Sequence, residues 1–151
     1  MERGVIAVIV ISLLLILMTT AVIYDFKTDK IPNWINVLGV TVGLGCSVCS
    51  NGLNGALYSL LGVIIPIGIL FVLHRFGKLG AGDIKFLAMV GSFFGINILY
   101  VIIYSFLFGG IISLIIILSN MFKTKKLKVI HFSLEILLGA VTVFFVKGGL
   151  I

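Results

Sequence analysis

GVIAVIVISLLLILMTTAVIY, residues 4–24, runs directly into DFKTDKIPN, residues 25–33, and this junction decides what kind of molecule the chain is. The first string carries no charge, and its apolar residues cover the whole helical circumference. A surface helix of a soluble protein would keep one polar face. At about 1.5 Å per residue the string is long enough to cross the roughly 30 Å hydrocarbon core of a bilayer. The second string sets two aspartates and two lysines against the end of that span. Pro32 must then break the helix, because it lacks an N–H and clashes with the preceding turn.

The same alternation recurs along the chain. Apolar segments run from about Gly4 to Tyr24, Trp34 to Ser50, Leu53 to Leu73, Ile84 to Phe94, Ile96 to Phe122 and His131 to Lys147. Between them lie Ile31-Pro32-Asn33, Ser50-Asn51-Gly52, the stretch from Gly77 to Gly82, Gly95, and the lysine-rich stretch from Lys123 to Lys128. Pro66 falls inside the third segment, where neighbouring helices let a membrane helix kink and continue. Hydrophobic residues make up 61% of the 151 and charged residues 11%, which excludes an ordinary soluble domain. The expected fold is all-α: a polytopic bundle of about six transmembrane helices, forming one integral-membrane domain over residues 1–151. The first span lacks a small-residue cleavage site and is expected to stay in the mature protein. Gly39, Gly43, Gly62, Gly109 and Gly110 are expected to let helices approach closely.

Orientation is set by the cations. One side of this arrangement displays Lys27, Lys30, Arg75, Lys78, Lys85, Lys123, Lys125, Lys126 and Lys128; the other displays only Arg3 and Lys147. Positive charge is retained on the cytosolic side, so both termini are expected outside, in a multi-pass protein of the cell membrane. The net charge of +6 then belongs to that rim and to anionic lipid headgroups, not to nucleic acid. Cys46 and Cys49 form a C-x-x-C inside a span. A zinc site needs about four ligands, and His74 and His131 should lie at the opposite side, so the cysteines are expected to be packing residues and no metal or other cofactor is expected.

Three of the five acidic residues, Asp25, Asp29 and Asp83, sit beside span ends. A carboxylate held near lipid is costly and points to a functional site. If the fourth segment starts outside near Gly95, about twelve residues carry it only some 18 Å inward, which leaves Asp83 below the cytosolic surface. Asp25 reaches a similar depth if the first helix continues past it. Asp83 could equally be a helix cap, and Asp25 and Asp29 interfacial charges paired with Lys27 and Lys30. The glycines of Gly80-Ala81-Gly82-Asp83 argue for more, being expected to admit a ligand or take positive φ.

Asp25 followed by Pro32-Asn33, together with Gly80-Ala81-Gly82-Asp83-Ile84-Lys85-Phe86-Leu87-Ala88, resembles the type IV prepilin peptidases, the GxGD-type aspartic proteases of membranes. The resemblance implies a catalytic pair at Asp25 and Asp83, with Gly80, Ala81, Gly82, Lys85, Pro32 and Asn33 supporting the loops or the substrate. Asp29 stays outside the pair. Presenilin-type proteases share the Tyr-Asp and GxGD elements, but their late Pro-Ala-Leu motif is missing here. Larger prepilin peptidases carry paired C-x-x-C zinc ligands in a first cytosolic loop, associated with N-methylation. Here that loop is the short stretch from Lys27 to Pro32, so the resemblance implies a short form with peptidase activity alone.

The resemblance also implies the substrate: a prepilin or pseudopilin of a Tad- or competence-like system, cut after a glycine at the end of a basic leader. Two neighbouring carboxyls are expected to share one proton, one activating water and the other polarising the scissile carbonyl. A basic leader must approach a basic rim, so its attraction must be local. The alternative is a non-enzymatic transporter or pilus-assembly subunit using the acids as a proton relay, with Glu135 of the sixth segment joining them. On the peptidase reading Glu135 has no role, and Glu135→Gln should be tolerated.

Overall fold

A computed structural model describes residues 2–77, 79–121 and 131–147. Its elements are α1 (Glu2–Thr28), α2 (Asn33–Arg75), α3 (Ala81–Phe94), a 3-10 turn (Gly95–Asn97), α4 (Ile98–Met121) and α5 (Phe132–Lys147). The described residues are all-helical, without strands. Three helical stretches, Ala7–Thr28, Asn33–Arg75 and Ala81–Ser119, are long and apolar enough to cross a membrane. Lys78 and Lys123 to Lys128, which weigh in the expected orientation, lie outside the described residues.

Two glycines turn these long stretches back on themselves. Gly52 in α2 has φ 58° and ψ −137°, and Gly95 after α3 has φ 53° and ψ −134°. Positive φ is open to glycine at little cost and strains other residues. At Gly52 the chain folds into a hairpin, so that Gly55 lies against the backbone of Ser47. The first arm of α2 brings Gly39 against Met89 and Gly43 against Ser92, while the second brings Gly62 against Gly91. Ser59 Oγ closes this contact by donating to the Ser92 carbonyl at 2.8 Å. The second arm continues through Pro66 to Arg75. At Gly95 the ring of Tyr58 lies against the glycine, and Asn97 Nδ2 donates to the Tyr58 hydroxyl at 3.1 Å.

The short α3 is the centre of the molecule. Ile84 and all residues from Phe86 to Phe94 are buried. Met18, Ile35, Leu70, Ile98, Val101 and Ile136, from every other helix, complete its core. The surrounding helices instead expose large apolar side chains, among them Ile16, Val37, Leu57, Ile64, Ile103 and Ile115, a surface suited to lipid and not to water. Helix α4 returns beside α3 and pairs with α5, as shown by Lys147 Nζ 4.2 Å over the Tyr100 ring at one end and Phe106 against Phe132 toward the other. The bundle therefore has two distinct ends. The C-terminal end of α1, both ends of α2, and the N-terminal ends of α3 and α5 gather at one, with Lys27, Lys30, Arg75 and Lys85; Lys147 is at the other.

Candidate active site

At the lysine-bearing end, four of the five acids converge: Asp25, Asp29, Asp83 and Glu135. Asp25 sits in the last turn of α1, 8% exposed. Its Oδ2 accepts a 2.6 Å hydrogen bond from Ser133 Oγ of α5, a fully buried hydroxyl 108 residues away. Such a short bond to a carboxylate is charge-assisted and fixes the acceptor's orientation. Asp83 is the third residue of α3 and lines one cleft with Phe132 and Glu135, neighbours of Ser133 in the first turn of α5.

Helix α1 ends beyond Asp25 by a left-handed turn. Asp29 has φ 53°, the one non-glycine residue with positive φ among those described, and its N–H donates to the Asp25 carbonyl at 2.9 Å. An aspartate tolerates this conformation better than most residues. The exposed Asp29 carboxylate lies 3.0 Å from His131 Nε2, and the His131 ring stacks on Phe26 at 4.5 Å. The loop from Asp29 to Pro32 is thus pinned to the start of α5. Pro32 occupies the N-cap position of α2, and Asn33 Oδ1 accepts a 3.0 Å hydrogen bond from Lys85 Nζ of α3. Two short motifs far apart in sequence are joined there.

The backbone corrects the expectation for the glycines. Gly80 is the N-cap of α3 with φ −69° and ψ 142°, a conformation any residue adopts. Gly82 is helical, and a Cβ placed on it would meet nothing within 4 Å. Neither glycine is required by positive φ or by backbone crowding. Around Gly82 there is open space, and at Gly80 the neighbour of an added Cβ would be the Asp83 carboxylate, at 3.0 Å. Nor is Asp83 the helix cap, a position that falls to Gly80.

An open cleft of about 410 Å³ lies beside Asp83, walled by Gly80, Phe106, Gly109, Phe132 and Glu135. Helix α4 continues about a dozen residues past Gly109, to Met121, so Asp83 is recessed well behind the end of its neighbour. Glu135 is 1% exposed, and its Oε2 has no hydrogen-bond partner among the described residues. Sequence reasoning assigned no site role to Ser133 and His131, and none to Glu135 under the peptidase reading. The one available signal was an acid inside an apolar segment. Cys46 and Cys49 are free and lie on the first arm of α2 near Gly52, toward the far end from His74 and His131.

Taken together, these observations define an all-helical protein with membrane-length apolar helices and a recessed carboxylate site at one end. Residues 12–116 match the model of the type IV leader peptidase family, and the chain belongs to that family. The matched region contains Asp25 and Asp83; α5, with Ser133 and Glu135, lies beyond it. No curated protein and no solved structure matches the chain.

Proposed function

We propose that this protein is a membrane-embedded aspartic endopeptidase that removes the basic leader of type IV prepilins or pseudopilins of a Tad- or competence-like system. The cut comes after a glycine at the cytosolic face of the cell membrane. The observation that supports this reading is that Asp25 and Asp83, from helices far apart in sequence, both meet the first turn of α5 in a chain of the leader peptidase family. In this reading α1, the two arms of α2, α3, α4 and α5 make six passes in a single domain. Both termini are outside, and the end bearing Lys27, Lys30, Arg75 and Lys85 faces the cytosol.

The chemistry is hydrolysis by two carboxyls sharing one proton. The charged carboxylate takes a proton from water as the water oxygen attacks the scissile carbonyl carbon. The protonated partner hydrogen-bonds the carbonyl oxygen. Collapse of the tetrahedral intermediate breaks the C–N bond, and the proton passes to the leaving amine. Ser133 holds the Asp25 carboxylate in one orientation, Lys85 and Asn33 tie α3 to the first loop, and the open flank of Gly82 leaves room for an extended substrate strand.

Asp25→Asn and Asp83→Asn should each abolish prepilin cleavage while the protein still accumulates in membranes, because the pair acts as a unit. Near-wild-type cleavage by either variant would remove the dyad. The place of Glu135 beside Asp83 in one cleft also fits the proton-relay alternative. That alternative requires proton flux across proteoliposomes from a protein that cuts no precursor.

A further inference from the structure

The cleft beside Asp83 has the chemistry of a cation receptor. Two of its walls are carboxylates, Asp83 and Glu135, and two are aromatic rings, Phe106 and Phe132, with centroids 5.2 Å apart. No lysine or arginine lines it among the described residues. Aromatic faces attract ammonium and guanidinium groups, more strongly when water is displaced. Its floor on α4 is Gly109, where an added Cβ would lie 3.8 Å from the Glu135 carboxyl carbon and 3.5 Å from Phe132. Two glycines in succession, Gly109 and Gly110, keep this stretch of α4 free of side chains that would fill the cleft.

Glu135 is the residue in need of a partner. A carboxylate at 1% exposure has surrendered its hydration, and among the described residues Oε2 receives no hydrogen bond in return. An uncompensated buried carboxylate is costly, whereas an incoming cation gives it a charge-assisted bond. We propose that this cleft is a cation subsite, in which Glu135 with Phe106 and Phe132 holds a lysine or arginine side chain of the leader beside Asp83. This resolves how a basic leader is drawn into a basic rim: the attraction is a recessed anionic cleft and not the surface. Asp83 shares the cleft, and an extended chain advances about 3.3 Å per residue. The recognised cation therefore belongs to a residue close to the scissile bond.

The proposal rests on the peptidase reading, and the experiment separates the two. The purified protein in proteoliposomes is given a synthetic precursor with Lys-Gly before the cut and an apolar helix of about twenty residues after it. A second precursor carries Ala-Gly instead. Wild-type protein should prefer the lysine precursor about tenfold or more in kcat/KM, the worth of a hydrogen bond to a charged group, with the preference residing in KM. Glu135→Gln should lose most of that preference through a raised KM for the lysine precursor, and Glu135→Asp should keep part of it. Phe106→Leu, at a residue 39% exposed, should reduce the preference about twofold to fivefold. It serves as the deciding variant if Glu135→Gln does not accumulate. Undiminished preference in Glu135→Gln, or in Phe106→Leu where that variant decides, overturns the subsite. So does a Glu135→Gln loss confined to kcat and equal for both precursors. If wild-type protein cuts neither precursor, the peptidase reading itself falls and the subsite with it.

Discussion

Ser133→Ala removes a single oxygen and tests whether the orientation of Asp25 matters to the reaction. The lost bond is short, 2.6 Å, and joins a hydroxyl at 0% exposure to a carboxylate at 8%, so water cannot readily replace it. Hydrogen bonds to charged groups are worth roughly 1.5–3 kcal/mol. At about 1.4 kcal/mol per factor of ten, the whole bond corresponds to roughly 10- to 150-fold in rate. That range is a ceiling, because the bond already exists in the free protein and only the part that differs in the transition state affects kcat. What Ser133→Ala gives up at the moment of reaction is the fixed direction of the carboxylate. A loss of about tenfold in kcat with KM little changed is therefore expected. The assay is initial-rate cleavage of a prepilin-type precursor, normalised to membrane-inserted protein, with thermal stability measured in parallel. A purely structural bond would lower stability and leave normalised kcat where it was. That result would refute the assignment of Ser133 as a positioning residue for Asp25.

Gly62→Ala should destabilise the bundle by about 1–3 kcal/mol or more, because the new methyl runs into the Gly91 carbonyl where the two backbones cross; a lower thermal midpoint and reduced accumulation check it. Asp29→Asn should retain most cleavage activity, since asparagine accepts the φ of 53° and an exposed polar contact with His131 contributes about 0–1 kcal/mol. Loss of cleavage in Asp29→Asn with activity kept in Asp25→Asn would move the dyad onto Asp29. Gly82→Ala should leave folding intact, as its Cβ meets open space in a helical position, and any fall in cleavage should appear as raised KM for the precursor.

Composition alone settled the all-helical, membrane-type character of the chain, for a physical reason. Backbone groups cannot go unpaired in hydrocarbon, so long uncharged runs have to be helices or barrel strands, and runs of this length without alternation are helices. The breaks were legible too: Pro32 cannot continue a helix, and Gly52 and Gly95 take φ values that other residues avoid. Asp25 and Asp83 stood out because charge is so rare in this chain. Element bounds shifted only slightly, as where α3 begins at Ala81 and not at Ile84.

The rotation of each helix was not legible in the sequence. In a soluble protein the polar face marks the outside. Here lipid and protein interior are equally apolar, so α3, buried all round, and α4, largely exposed, read alike. The phase of α5 was hidden for the same reason, and with it the inward placement of Ser133 and Glu135. The positive-φ expectation for Gly80 and Gly82 failed because residue type permits a backbone conformation without requiring it; the helix starting at Ala81 fixed ordinary angles for both. Only the folding of α5 against α1 and α4 brought a hydroxyl to Asp25 and the buried Glu135 carboxylate to the cleft beside Asp83.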